Sequence, residues 1–201
     1  TGGHDHVAAA LVLGANRPGT LLDSMGTAEA MVISVDTPTD DPRSGEQGYG
    51  QGAHVINGYY LMGGLTTSSA CIEWLRDVVA PNADYGQLIA EAERVPMGSL
   101  GVTFMPHLRI ANVPNLDPLS RGCFIGLSGD VTRGALFRAV LEGLALEYYN
   151  GLTPLLGYAG LQKLDTIYAT GGGTRNALLM QIKASVFNQS YQVVSADEAT
   201  A

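Results

Sequence analysis

Three short stretches of this sequence hold residues able to do chemistry. The first is Gly2-Gly3-His4-Asp5-His6, ahead of the small-residue run Val7-Ala8-Ala9-Ala10-Leu11-Val12-Leu13. A carboxylate at the start of a helix has three uses. It can cap the helix by accepting from free backbone N–H groups. It can share a metal ion with the flanking histidines, although residues i and i+2 do not face one another on a helix, and no further Cys, His or Glu cluster follows nearby as a metal site would require. It can also point into a cleft and take a proton from a substrate hydroxyl. The neighbourhood of Asp5 leaves all three open.

The second stretch is Thr170-Gly171-Gly172-Gly173-Thr174-Arg175-Asn176, between an apolar strand and a helix. Missing Cβ atoms let a ligand approach the main chain, and N–H groups at a helix start attract anions. The pattern is neither G-x-G-x-x-G nor a P-loop, since no Lys follows the glycines. A tight turn without a ligand is the plainer reading of the same residues. The third stretch is Asp23-Ser24-Met25-Gly26-Thr27-Ala28-Glu29, a hairpin turn. A Gly-Thr pair there suits a phosphate, through backbone N–H groups and one hydroxyl, or serves only to turn the chain.

The elements that position these stretches follow from apolar periodicity and turn residues. A helix is expected over 7–13, and two strands within 21–35 around the turn at 24–27. A polar Gly-, Pro- and Asp-rich loop is expected over 36–52, then a strand pair or bent strand over 55–65. A helix over 66–79 carries Ala70, Trp74 and Val78 on one stripe, and a short helix covers 85–92. Strands are expected at 101–108 and 122–127. The longest helix, 131–156, is apolar on a broad face and offers Arg138 and Glu142 as an i, i+4 pair. Strand 164–169, the glycine turn, helix 176–187 and strand 191–194 complete the chain. The run strand, long helix, strand, helix, strand in the second half predicts one α/β domain with a partly parallel sheet.

Composition narrows the function. The 201 residues are 46% hydrophobic and 15% charged, an ordinary globular balance. A net charge of -8 disfavours nucleic acid and anionic membrane as partners, and no apolar run approaches the roughly 20 residues that span a bilayer. Cys71 and Cys123 read as buried free thiols, which fits a reducing cytoplasm. Both ends read as cut, at Thr1 inside a turn and at Asp197–Ala201 where a helix begins, so a piece of a longer protein is expected.

The order of the motifs resembles the C-terminal domain of the FGGY carbohydrate kinases, which phosphorylate xylulose, glycerol, gluconate and related sugars. The matching residues are Gly3, Asp5, Ser24, Gly26, Thr27, Gly126, Leu127, Arg138, Ala139, Glu142, Gly143, Gly171, Gly172, Gly173, Asn176, Glu198, Ala199 and Thr200. The resemblance implies a ribonuclease H-like domain of the actin/hexokinase/Hsp70 type, the C-terminal half of a two-domain kinase. It implies ATP as phosphoryl donor, with Mg²⁺ held mainly through the ATP phosphates, and a sugar or polyol acceptor. By the same resemblance Asp5 is the general base, Gly26 and Thr27 contact the ATP phosphates, and Gly171, Gly172, Gly173 and Asn176 lie on the adenosine side. His6 either touches substrate or packs. An N-terminal domain, absent here, would carry most sugar contacts, and the face toward it leaves a homodimer open. A degenerate kinase that binds nucleotide without catalysis is the alternative. The sequence departs from the family at His107-Leu108-Arg109-Ile110-Ala111-Asn112-Val113-Pro114, where many members carry Ser-Gly-Glu-Arg-Thr-Pro, and at Ala28-Glu29-Ala30 after the Gly-Thr turn.

Overall fold

A computed structural model describes residues 4–194. In chain order the elements are α1 (Asp5–Val12), β1 (Thr20–Met25), β2 (Glu29–Val35), α2 (Arg43–Glu46), β3 (Gly50–Ala53), β4 (Tyr59–Leu65), α3 (Ser69–Val79) and α4 (Tyr85–Glu93). There follow β5 (Thr103–Met105), β6 (Cys123–Ile125), α5 (Arg133–Tyr158), β7 (Thr166–Thr170), α6 (Ala177–Phe187) and β8 (Tyr191–Val193). The main sheet runs in the order β3-β4-β2-β1-β7-β8. Its β3, β4, β2 and β1 are antiparallel neighbours, whereas β7 and β8 run parallel to β1.

The central strands are buried on both faces, so their side chains divide by parity. Leu21, Met25, Met31, Ile33, Leu61 and Ile167 point into the larger core, under α3 to α6. Leu22 and Val32 point the other way, under Val7, Ala9 and Ala10 of α1. Alanine-rich α1 can lie close to the sheet because its contact face is small. The 26-residue α5 is the spine of the larger core, with Phe137, Leu141, Leu144, Tyr148 and Leu155 buried along it. Thr132 caps its start by accepting from Ala135 N at 3.2 Å, and the expected Arg138–Glu142 pair forms at 2.7 Å.

Several sequence expectations need correction. The 36–52 stretch is not all loop: it folds α2 and begins β3, whose partner is β4. His54 to Gly58 is the connection of that hairpin, where Gly58 takes φ +78°. The strand before α5 does not join the main sheet; β6 pairs with β5 in a separate two-stranded ribbon. On α3 the buried stripe is Cys71, Ile72 and Leu75, while Trp74 and Val78 are exposed. The helix starts at Ser69 rather than Thr66, and its inward face lies one residue, about 100°, round from the expected stripe. Cys71 is buried, but Cys123 is only partly so. Gly3, Glu198, Ala199 and Thr200 lie outside the described residues.

Candidate active site

The β1–β2 turn and the glycine turn after β7 sit side by side because β1 and β7 are parallel neighbours, with Ser24 opposite Thr170. Both strands end at the same edge of the sheet, so the loops that follow them share one corner. Gly171 makes the close approach possible. It has φ +93° and ψ 176°, and a Cβ there would lie 2.4 Å from the Met25 carbonyl oxygen. Gly173 packs on the Met25 side chain in the same way, whereas a Cβ on Gly172 would meet nothing and that residue faces open space.

The corner opens into a cleft of about 480 Å³ lined by Gly26, Thr27, Gly172, Gly173 and Asn176. Five of the six residues matched to the nucleotide therefore share one cavity, and the sixth, Gly171, seats the loop behind it. The other walls come from Ser69, Ile72 and Glu73 of α3, Tyr85 and Ile89 of α4, and Arg175. Ile72, Tyr85 and Ile89 offer an apolar slot; Arg175 offers a positive charge. The turn carbonyls are occupied, since Thr27 O accepts from Ser68 N at 2.9 Å and Gly26 O from Ser69 N at 3.3 Å. By contrast, the backbone N–H groups of Thr27, Gly172 and Gly173 form no hydrogen bond among the described residues. The cleft thus pairs free N–H donors with an apolar wall, which fits a phosphorylated ligand bearing a flat base.

Asn176 differs in one respect from the sequence expectation. Its Oδ1 caps α6, accepting from Leu179 N at 3.1 Å, so the helix start is closed by its own cap rather than left open for an anion. Its Nδ2 is buried without a partner and remains available as a donor. A 3-10 turn, Gly172–Arg175, separates the glycines from α6.

Asp5 does not line this cleft. It is the first residue of α1, on the opposite face of the sheet, and His4 rather than Asp5 takes the N-cap position. The Asp5 carboxylate is exposed, accepts from the His6 backbone N–H at 2.9 Å and lies 2.9 Å from His4 Nδ1. The His6 N–H, and then the His6 ring charge, hold its pKa below the ordinary carboxylate value. His6 is half-buried and stacks on His4, ring centroids 5.4 Å apart; burial lowers its pKa. Among the described residues no three His, Cys, Asp or Glu side chains are grouped to hold a metal ion.

Sequence reasoning missed a buried ionic cluster behind the cleft. Lys183 Nζ donates to Asp23 Oδ2 at 2.5 Å and to Glu29 Oε1, and sits 3.7 Å from the centroid of the Tyr148 ring. All three charged side chains are at most 2% exposed. Burial, then repulsion from Glu29, outweighs Lys183 and pushes the Asp23 carboxyl well above its usual range. Burial opposes the Lys183 charge, but the two carboxylates more than compensate and raise its pKa. The signal was present: Asp23 shares the inward parity of Leu21 and Met25, and Lys183 follows Leu179 by one helical turn.

A mixed sheet with a parallel extension, helices on both faces and a glycine-lined cleft at the strand ends define a ribonuclease H-like α/β domain of the actin/hexokinase type. The comparisons with known proteins carry this further. Residues 21–201 match the family described as "FGGY family of carbohydrate kinases, C-terminal domain", and the chain belongs to that family. It is 28% identical to a xylulose kinase of Bacillus subtilis over 93% of the chain, and 34% identical to a glycerol kinase of Gloeobacter violaceus over 90%. The crystal structure of a xylulose kinase from Rhodospirillum rubrum superposes with a TM-score of 0.83 at 31% identity, covering 99% of the chain. The chain spans 36% to 39% of the length of these three proteins.

Proposed function

We propose that the chain is the nucleotide-binding half of an ATP-dependent kinase that phosphorylates a hydroxyl of a sugar, ketose or polyol. The observation that carries this reading is the shared cleft. Gly26 and Thr27 on one side, and Gly172, Gly173 and Asn176 on the other, face one another across a space with free N–H donors and an apolar slot. The xylulose and glycerol kinases among the relatives support the acceptor class. In this reading the N–H groups of Thr27, Gly172 and Gly173 hold phosphate oxygens, and Ile72, Tyr85 and Ile89 hold the base. Mg²⁺ enters with the phosphates, bridging them and offsetting charge as it builds up. Asp5 is ionised throughout the neutral range and serves as general base for the acceptor hydroxyl. An N-terminal domain of the parent protein supplies the opposite wall and most sugar contacts, and the protein works in the cytoplasm. No helix among the described residues is long and apolar enough to cross a membrane. On its own, the 201-residue stretch transfers no phosphoryl group and binds ATP weakly.

The test uses the full-length protein with Mg-ATP and a panel of pentuloses, hexuloses, polyols and gluconate. ADP release should rise with one of them, and Asp5→Asn should lower kcat by about 10²- to 10⁴-fold, the range for loss of a general base. No acceptor-dependent ADP release from any member of the panel, or an Asp5→Asn variant as fast as wild type, would overturn the assignment.

A further inference from the structure

Asp23 and Glu29 flank the Gly26–Thr27 turn, the first two residues before the end of β1 and the second at the start of β2. Lys183 reaches both from α6, the helix that follows the glycine turn. Glu29 has a second partner: its Oε2 accepts from Ser68 Oγ at 2.5 Å. Ser68 immediately precedes α3, and its backbone N–H donates to Thr27 O at 2.9 Å. The cluster therefore ties the strands around the Gly26–Thr27 turn to the start of α3 and to α6, the helix that Asn176 of the cleft caps, from behind and out of reach of solvent.

The energetics argue against stability as its purpose. Taking ions out of water is costly, and replacing a buried ion pair by apolar residues of similar volume is often neutral or stabilising. What such a cluster supplies is geometry, because short charge-assisted hydrogen bonds admit few arrangements. The arrangement is also electrostatically pointed. Carboxylate charge behind a turn that holds phosphates would repel the ligand, and Lys183 offsets it.

We infer that Lys183, Asp23, Glu29 and Ser68 form a positioning lock that fixes the Gly26–Thr27 phosphate turn against α6 and the start of α3, with Lys183 as its centre. None of the four lines the cleft, so none is a catalytic residue; each acts through the turn. This rests on the nucleotide reading of the cleft given above. The lock should govern the phosphates more than the base, since of the apolar slot only Ile72 stands on an element the cluster holds, whereas Tyr85 and Ile89 stand on α4.

The experiment measures ADP and adenosine binding to the full-length protein by calorimetry, alongside thermal unfolding. The main variant is the triple, Asp23→Asn, Glu29→Gln and Lys183→Met, which removes the ammonium and both carboxyl groups together and leaves no unpaired ion in the core. It should unfold cooperatively near wild type yet bind ADP at least tenfold more weakly, with adenosine affinity within twofold. Ser68→Ala, which cuts only the link to α3, should weaken ADP binding about threefold. A folded triple variant with wild-type ADP affinity overturns the lock, as does equal weakening for ADP and adenosine. If the triple variant fails to fold, Ser68→Ala decides: ADP affinity unchanged at unchanged stability refutes the proposal. Failure of wild type to bind ADP at all would instead refute the nucleotide reading of the cleft.

Discussion

Gly171 and Met25 touch where β7 gives way to the glycine turn: a Cβ on Gly171 would stand 2.4 Å from the Met25 carbonyl oxygen. The same residue has φ +93° and ψ 176°, a region that is essentially glycine's alone. Gly171→Ala therefore meets two penalties, a strained backbone and an overlap with a strand that cannot retreat. The expected loss of stability is about 2–4 kcal/mol, combining backbone strain with overpacking. Denaturant unfolding checks it. ADP affinity should fall as well, because the glycine turn must shift away from the β1–β2 turn.

That pair also illustrates what the sequence disclosed and what it withheld. Both turns could be read as glycine turns from residue type alone, and the strands around them from apolar runs. Their meeting in one cleft depends on β1 and β7 being parallel neighbours, a pairing of residues about 145 apart that no local pattern encodes. The strand before α5 leaves the main sheet for the same reason: 122–127 looks like any short strand, and only its partner Thr103–Met105 reveals the ribbon. Asp23 and Lys183 were legible individually as charged residues at inward positions. They went unread because a single charge in an apolar pattern resembles a surface residue until its partner, 160 positions away, is known. Asp5 stands apart. Its cap, metal and base readings all stayed open locally, and the structure shows an exposed carboxylate at the start of α1, on the face of the sheet opposite the cleft.

Two glycines on α5 should respond in opposite ways to the same change. A Cβ on Gly143 would lie 2.3 Å from the Phe104 carbonyl oxygen, so Gly143→Ala pushes the helix off the β5–β6 ribbon. The cost should be about 3 kcal/mol, at the upper end for overpacking because the obstacle is backbone. A Cβ on exposed Gly157 would meet nothing within 4 Å. Gly157→Ala should gain about 0.5–1 kcal/mol from helix propensity. Thermal unfolding of the two variants side by side tests both signs.

Glu142 restrains a loop as well as pairing with Arg138. Its Oε1 accepts from Arg138 Nε at 2.7 Å and from Gly98 N at 3.2 Å, and its Oε2 from Ser99 Oγ at 2.8 Å. Ser99 and Leu100 beside it hold φ of +49° and +58°, left-handed values that non-glycine residues adopt at a cost. Glu142→Ala should destabilise by about 2–3 kcal/mol, as expected for charge-assisted bonds lost from a partly buried site. Glu142→Gln keeps an acceptor and should lose about half as much. Equal losses for both variants in denaturant titrations would show that the charge, not the hydrogen bonding, carries the effect.

The two cysteines should separate cleanly under a thiol reagent. Cys71 is fully buried on α3, its Sγ donating to Thr67 O at 3.4 Å, and burial pushes its thiol up to about 11. Cys123 is partly exposed on β6. At pH 8 only about one Cys71 in a thousand is then thiolate, the reactive form, and access is closed as well. Native protein should therefore lose Cys123 to an aromatic disulfide reagent while Cys71 reacts only on unfolding. The raised pKa also has a stability consequence with a fixed sign. The folded state binds the thiol proton more tightly than the unfolded chain does, so this contribution is complete below the ordinary thiol value of 9.0 and is lost as pH rises through about 11. Comparing melting temperatures of wild type and Cys71→Val across that window isolates it: wild type should fall more steeply, and parallel curves would refute the shift.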